Sequence, residues 1–277
     1  MKVVGGIGVP HTPHFPMIVD NNGDGADELR RLYGELARRL QEMAPDVIVF
    51  FSSDHYNLFF EHVPMFTVGT ATSAHGPSDY ELQEYDIPID GRLGEVLQHR
   101  LVAAGFDVGR LREFELDHPF TIPLHFLRPQ MDVPIVPIWI SAFMSPIPTA
   151  QRCLDFGRAI GQALGELADP RRVAVIGTGS FSLEIGGPRM SATSHTGVPA
   201  PAWVDRIIAL VSAGDTAALV SEATDEQLSD AGNAGGEVLL WLAMLGALAG
   251  TFRPVTLEAQ PQFGHAYGAW LEPEATT

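Results

Sequence analysis

The sequence predicts an α/β fold, a single domain over residues 1–277 with a central mixed, largely parallel sheet flanked by helices. Three observations carry this expectation. Val47 to Phe51 is an unbroken apolar run, the pattern of a strand buried on both faces. An amphipathic stretch precedes it, with Leu29, Leu32, Tyr33, Leu36, Leu40 and Met43 at helical spacing. Ahead of that lies a further apolar run, Val3 to Val9, so strand, helix and strand alternate as in parallel sheets.

Each apolar run ends in polar residues. Val3–Val9 gives way to Pro10-His11-Thr12-Pro13-His14, where prolines on both sides of His11 stop the strand and stiffen the loop. The second strand ends in Ser52-Ser53-Asp54-His55. If the two strands are parallel, both histidines lie at one sheet edge, and ligands of open α/β sheets sit beyond the carboxyl ends of the strands. Arg30, Arg31, Arg38 and Arg39 mark the solvated face of the intervening helix.

Further along, Thr70 to Pro88 is polar and rich in turn formers, and is expected to be a long loop over the crevice. A helix bearing Leu93, Val96, Leu97 and Leu101 follows, stopped by Gly105. Asp117-His118-Pro119 precedes a short apolar segment, Thr121 to Leu127. Val133 to Ile140 is a β-branched strand in which Pro134 and Pro137 predict irregular or edge pairing. Thr149–Leu167 is helical, and Val173–Ile176 is a buried strand running into Gly177-Thr178-Gly179-Ser180. Helices are expected over Ala202–Ser212, Thr216–Ser221 and the strongly apolar Val238–Leu248, and closing strands over Val255–Glu258 and Ala266–Leu271. Glu272–Thr277 reads as a frayed tail.

Composition narrows the function. A net charge of -17 excludes the basic footprint that nucleic acid or an anionic membrane requires. Cys153 is the only cysteine, so neither an internal disulfide nor a cysteine metal cluster can form. With no signal-like amino terminus and no apolar stretch long enough to span a bilayer, a soluble cytoplasmic protein is expected.

Three candidate ligands stand at element ends: His11, His55 and Glu237, the last preceded by Gly235-Gly236 at the start of an apolar helix. A glutamate there also complements the helix dipole, which alone would explain it. Two imidazoles and one carboxylate form the ligand set of non-haem Fe(II) oxygenases, and zinc hydrolases use the same groups.

Pro10-His11-Thr12-Pro13-His14, Ser52-Ser53-Asp54-His55, Asp117-His118 with Pro123-Leu124, Gly177-Thr178-Gly179-Ser180 and Gly235-Gly236-Glu237 with Trp241 occur in this order. The series resembles the catalytic subunits of class III extradiol ring-cleavage dioxygenases, the group containing protocatechuate 4,5-dioxygenase and 2-aminophenol 1,6-dioxygenase. The resemblance implies Fe(II) held by His11, His55 and Glu237, and His118 beside the substrate assisting proton movement. It further implies ring cleavage of a catechol-like or aminophenol-like compound by both atoms of O2. A homo-oligomer is expected, with or without a small second subunit.

One position departs from the family pattern. The family usually carries a Ser-His pair after the glycine-rich strand end, and its histidine is the main acid–base group; here Ser182 is followed by Leu183. His195, twelve residues on, is the candidate replacement. The leucine adds apolar surface, which favours a hydrophobic substituent on that side of the ring. His14 and His125 read as structural, His62, His75 and His99 as surface residues, and His265 and Arg189 as further groups able to line the site. Two other readings compete: a zinc hydrolase on the same ligands, and a family member kept as a binding protein. Leu183 favours the binding protein, and the intact His11, His55 and Glu237 set opposes it.

Overall fold

Side chains alternate across β2 (Val47–Ser52) and divide the core in two. Val47, Val49 and Phe51 enter one apolar layer, Ile48 and Phe50 the other, and all five are fully buried. The continuous apolar run is therefore a central strand with helices on both sides. The structure, a computed structural model, describes residues 1–78, 80, 82–190, 196–250 and 252–272.

In chain order, β1 (Lys2–Val9) leads through α1 (Phe15–Asp20) and α2 (Ala26–Met43) to β2. Then come β3 (Phe66–Gly69), β4 (Ser73–Gly76), β5 (Tyr85–Pro88), α3 (Gly91–Ala103), β6 (Val108–Leu111) and α4 (His118–Leu127). β7 (Ile135–Ile140), α5 (Ala150–Gly165), β8 (Arg172–Thr178), β9 (Glu184–Ile185) and β10 (Thr196–Gly197) follow. The chain closes with α6 (Pro201–Ala213), α7 (Thr216–Glu222), α8 (Asp225–Asp230), α9 (Val238–Ala247), β11 (Arg253–Gln260) and β12 (His265–Leu271).

Eight strands make one sheet in the order β11-β12-β1-β8-β2-β7-β3-β6. β1, β8, β2 and β7 are mutually parallel, so their carboxyl ends share an edge. β12 and β11 add antiparallel on one side, and β3 runs antiparallel to β7 on the other. The fold is thus a single α/β domain with a mixed, mostly parallel sheet. No helix among the described residues is long and apolar enough to cross a membrane.

Three expectations need correction. The region Thr70–Pro88 is not one open loop, because β4 and β5 pair within it as a short hairpin. The strand expected from Val133 starts at Ile135 and lies inside the sheet rather than at an edge. Pro137 is tolerated there because β3 pairs with β7 only from Ile138 onward. The apolar segment Thr121–Leu127 belongs to α4, which begins at His118; Pro119 occupies its first turn, where no intrahelical N–H bond is lost. Of the tail read as frayed, Glu272–Thr277, residues 273–277 lie outside the described residues, and Glu272 pairs with Lys2 at 2.7 Å.

α9 is buried along nearly its whole length, and α5 packs closely against it. A Cβ on Gly157 would sit 1.9 Å from the Ala243 carbonyl oxygen, so only glycine permits this approach. α9 is thereby wedged between α5 and the sheet, with its amino end at the carboxyl edge of the parallel strands.

Candidate metal centre

β1 delivers His11. The Tyr33 hydroxyl donates to the Pro10 carbonyl at 2.6 Å and pins the turn, leaving His11 only 4 % exposed. β2 delivers His55 three residues past its end, and the His55 N–H donates to Asp117 Oδ2 at 3.3 Å. The Asp54 carboxylate accepts from the backbone N–H groups of Leu58 and Phe59 at 2.9 and 3.1 Å, closing the next turn.

Glu237 arrives from a third direction. It ends a 3₁₀ turn, Gly235–Glu237, leading into α9. Its Oε2 accepts from the Ser180 N–H at 2.6 Å, just beyond β8. Gly179 makes that contact possible: its φ is +125°, and a Cβ there would lie 2.4 Å from Glu237 Cβ. Gly235 and Gly236, by contrast, admit the Leu228 and Ala142 carbonyl oxygens, which are packing contacts within the protein.

The three side chains converge. Glu237 Oε1 lies 2.9 Å from His11 Nε2 and 3.1 Å from His55 Nε2, and the two nitrogens are 3.2 Å apart. Three donors at right angles about an ion, each about 2.1 Å from it, would be about 3.0 Å apart, so the set fits one face of an octahedral cation. A buried carboxylate whose second oxygen already holds an amide, facing two imidazoles, is chemically suited to a divalent metal. Among the described residues the buried His11 Nδ1 has no hydrogen-bond partner, and packing orients the ring in place of the usual outer partner.

His118 occupies the first position of α4, 7 % exposed. Its ring centroid is 4.6 Å from that of His55, 5.8 Å from His11 and 5.0 Å from Tyr80. Ring nitrogens of His11, His55 and His118 also lie within 4.8 Å of one another, so His118 is an alternative third donor. The tighter contacts favour Glu237 for that role and leave His118 facing the donors from the side.

Burial, then the neighbouring His55 and His11, pushes the His118 pKa well below the usual histidine range. Burial, then Asp54, raises Asp117 to about 7. Burial also lowers His55. For Glu237 burial acts upward, but His11 and His55 outweigh it and hold the carboxyl far below its ordinary value.

The remaining residues divide clearly. His14 is exposed, capping α1, and His62, His75 and His99 are exposed as well. His125 Nδ1 pairs with the Tyr85 hydroxyl at 2.6 Å. His265 is buried beside the site, its Nε2 3.0 Å from Thr12 Oγ1, and burial lowers its pKa to about 4. Arg189 does not reach the donors: it pairs with Glu184 at 2.9 Å and donates to the Ser229 and Asp230 carbonyls. Leu183 is half-buried, and its carbonyl accepts from the Ala234 N–H, three residues before Glu237. His195 lies outside the described residues.

Two aromatic rings at the site escaped the sequence reading. Phe143 is 4.6 Å from His55, and Tyr80 stands against His118. Phe143 follows the carboxyl end of β7, so the strand-end rule would have found it had that strand been placed inside the sheet. Tyr80 sits in a turn-rich stretch and carries no such signal.

Comparison with known proteins gives a consistent picture. The profile described as "Catalytic LigB subunit of aromatic ring-opening dioxygenase" matches residues 5–268. A 2,3-dihydroxyphenylpropionate/2,3-dihydroxicinnamic acid 1,2-dioxygenase of Klebsiella pneumoniae is 28% identical, covering 85% of this chain and 87% of that protein. One with the same description from Photorhabdus laumondii is 25% identical, covering 86% of each chain. A crystal structure of an uncharacterized protein from Escherichia coli K12 superposes with a TM-score of 0.64 at 16% identity, covering 97% of this chain and 99% of that one, and shares the fold.

Proposed function

The chain belongs to the family of catalytic LigB subunits of aromatic ring-opening dioxygenases, and from that membership we propose that it cleaves a catechol-type ring at a ferrous ion held by His11, His55 and Glu237. The activity class, an extradiol ring-cleaving dioxygenase, follows from the family and its named relatives. Two imidazole nitrogens and one carboxylate oxygen within 2.9–3.2 Å of one another carry the assignment of ligands. Such an ion, when bound, supplies Lewis acidity toward the diol and one-electron chemistry toward O2.

The protein's own groups do the rest. The Ser180 amide orients Glu237 so that Oε1 faces the two histidines. His118 is neutral because it is buried, so a ring nitrogen is free to accept a hydroxyl proton from the substrate. Asp117 anchors the His55 backbone from the residue before His118, coupling the ligand loop to the base. Tyr80 and Phe143 supply aromatic walls against which a ring packs. His195 is the proposed second acid–base group in place of the histidine that position 183 lacks. The protein is further proposed to act in the cytoplasm as a homo-oligomer, with any small second subunit a separate chain; light scattering showing a monomer at micromolar concentration would contradict the oligomer.

The test is anaerobic reconstitution with Fe(II) or Zn(II), then O2 uptake over a panel of catechols and aminophenols. Fe(II)-dependent uptake matched to a ring-opened product is expected. A zinc form that hydrolyses esters without consuming O2 would sink the proposal.

A further inference from the structure

We propose that this site selects diols whose ring substituent is uncharged and apolar, and that it discriminates against a substituent carrying a carboxylate. The inference rests on the dioxygenase reading above and specifies its substrate class.

All 17 lysine and arginine residues lie among the described residues, and none is available to the site. Arg189 is the one beside the glycine-rich strand end, and it is held by the Glu184 carboxylate at 2.9 Å and by the Ser229 and Asp230 carbonyls. Arg172 and Arg253 donate to backbone carbonyls, and Arg152 lies over the rings of Phe66 and Phe106. Arg92 and Arg112 are exposed at the opposite end of the sheet. The first follows Asp90, whose N–H bonds the first residue of β7; the second follows Leu111, paired with the last residue of antiparallel β3. Every other one pairs with an aspartate or glutamate.

The groups around the donors are aromatic, acidic or neutral polar: Ser53 Oγ lies 3.2 Å from His55 Nε2 and the His118 ring stands against His55, and no lysine or arginine pairs with any of them. Tyr80 and Phe143 stand against His118 and His55, and Leu183 is half-buried near the turn that carries Glu237. Glu237 and Asp54 are the carboxyl groups that act on His55, and Glu237 acts on His118. A carboxylate on the ring substituent, away from the metal, would lose water there without gaining a lysine or arginine partner. The diol end does not share this difficulty, because its oxygens would take the open positions of the metal ion.

The Fe(II)-loaded protein, kept anaerobic, is titrated calorimetrically with a matched set: 3-propylcatechol, 3-(2,3-dihydroxyphenyl)propionate and the methyl ester of that acid. The acid is expected to bind about 10–100-fold more weakly than either neutral compound, with the same order in kcat/KM once O2 is admitted. Tyr80→Arg places a cation at the aromatic wall and should narrow or reverse the gap; Phe143→Arg serves if the first variant folds poorly. Equal or tighter binding of the acid by wild type, with ring cleavage intact, overturns this inference and leaves the dioxygenase reading standing. If catechol itself is neither bound nor cleaved, both fall.

Discussion

Gly179→Ala tests how the carboxylate ligand is held. The residue has φ +125°, a backbone conformation reserved for glycine, so alanine costs about 1–3 kcal/mol in strain. The added Cβ would sit 2.4 Å from Glu237 Cβ and 3.0 Å from Glu237 Oε2. Ordinary carbon contacts are about 3.5–4.0 Å, so Glu237 or the strand end must move by about 1 Å. That displaces the carboxylate from the 2.6 Å bond to the Ser180 amide and from its two histidines. Losing a partner that orients a ligand commonly lowers metal affinity about 10–100-fold. Chelator competition on the purified protein reads this directly, and thermal unfolding of the metal-free form reads the strain alone. Gly186→Ala is the control, with φ +64° and no atom within 4 Å of the added Cβ. It should lose a little stability and no metal affinity. If Gly179→Ala binds metal within about threefold of wild type, the account of how Glu237 is positioned is wrong.

His118→Ala should lower turnover about 10²–10⁴-fold with metal content unchanged; metal loss would instead make His118 the third ligand in place of Glu237. His195→Ala should lower turnover strongly with metal retained if that residue supplies the missing acid–base group. No change there would leave His118 or solvent as the proton source, and Leu183→His should then raise the rate. Gly157→Ala should destabilise the fold by about 1–3 kcal/mol in urea unfolding, because its Cβ would press on the Ala243 carbonyl; a neutral result would mean that α5 and α9 can separate freely.

How much the sequence disclosed depended on the kind of signal. β1, β2 and β8 were plain because each is a short apolar run ended by polar or glycine residues, and local pattern suffices for a buried parallel strand. His11, His55 and Glu237 stood out for the same reason, since strand ends and a helix start mark where side chains meet. β3 and β6 were not foreseen: each is four residues long, and their pairing with β7 and with each other is a tertiary matter. α4 was hidden by its two prolines, which speak against a helix until one sees that Pro119 falls in the first turn. The glycines before Glu237 suggest close backbone approach, and what approaches is the backbone of Leu228 and Ala142. Arg189 looked free to meet a substrate, and only the folded chain shows the buried Glu184 that holds it.

The substitution at position 183 has a sharper consequence once the other histidines are placed. His125 is tied to Tyr85, and His14 is exposed at the cap of α1. His265 is buried close to the donors, but its Nε2 meets Thr12 and its ring lies between Phe15 and Phe263, so it is enclosed by partners of its own. Among the described residues this leaves His118 as the imidazole whose ring stands against the donor histidines without belonging to the tight donor set. A neutral base can take one proton from a diol; the return of a proton later in the reaction must then come from the same ring, from His195 or from water. If His195 does not supply that proton, the site has one base in place of two and works best on a substrate whose second hydroxyl ionises readily. Electron-withdrawing but uncharged ring substituents should therefore be turned over faster than electron-donating ones of the same size, and Leu183→His should flatten that dependence. A wild-type rate indifferent to hydroxyl acidity across such a series would mean that proton transfer at this site is not limited by the missing histidine.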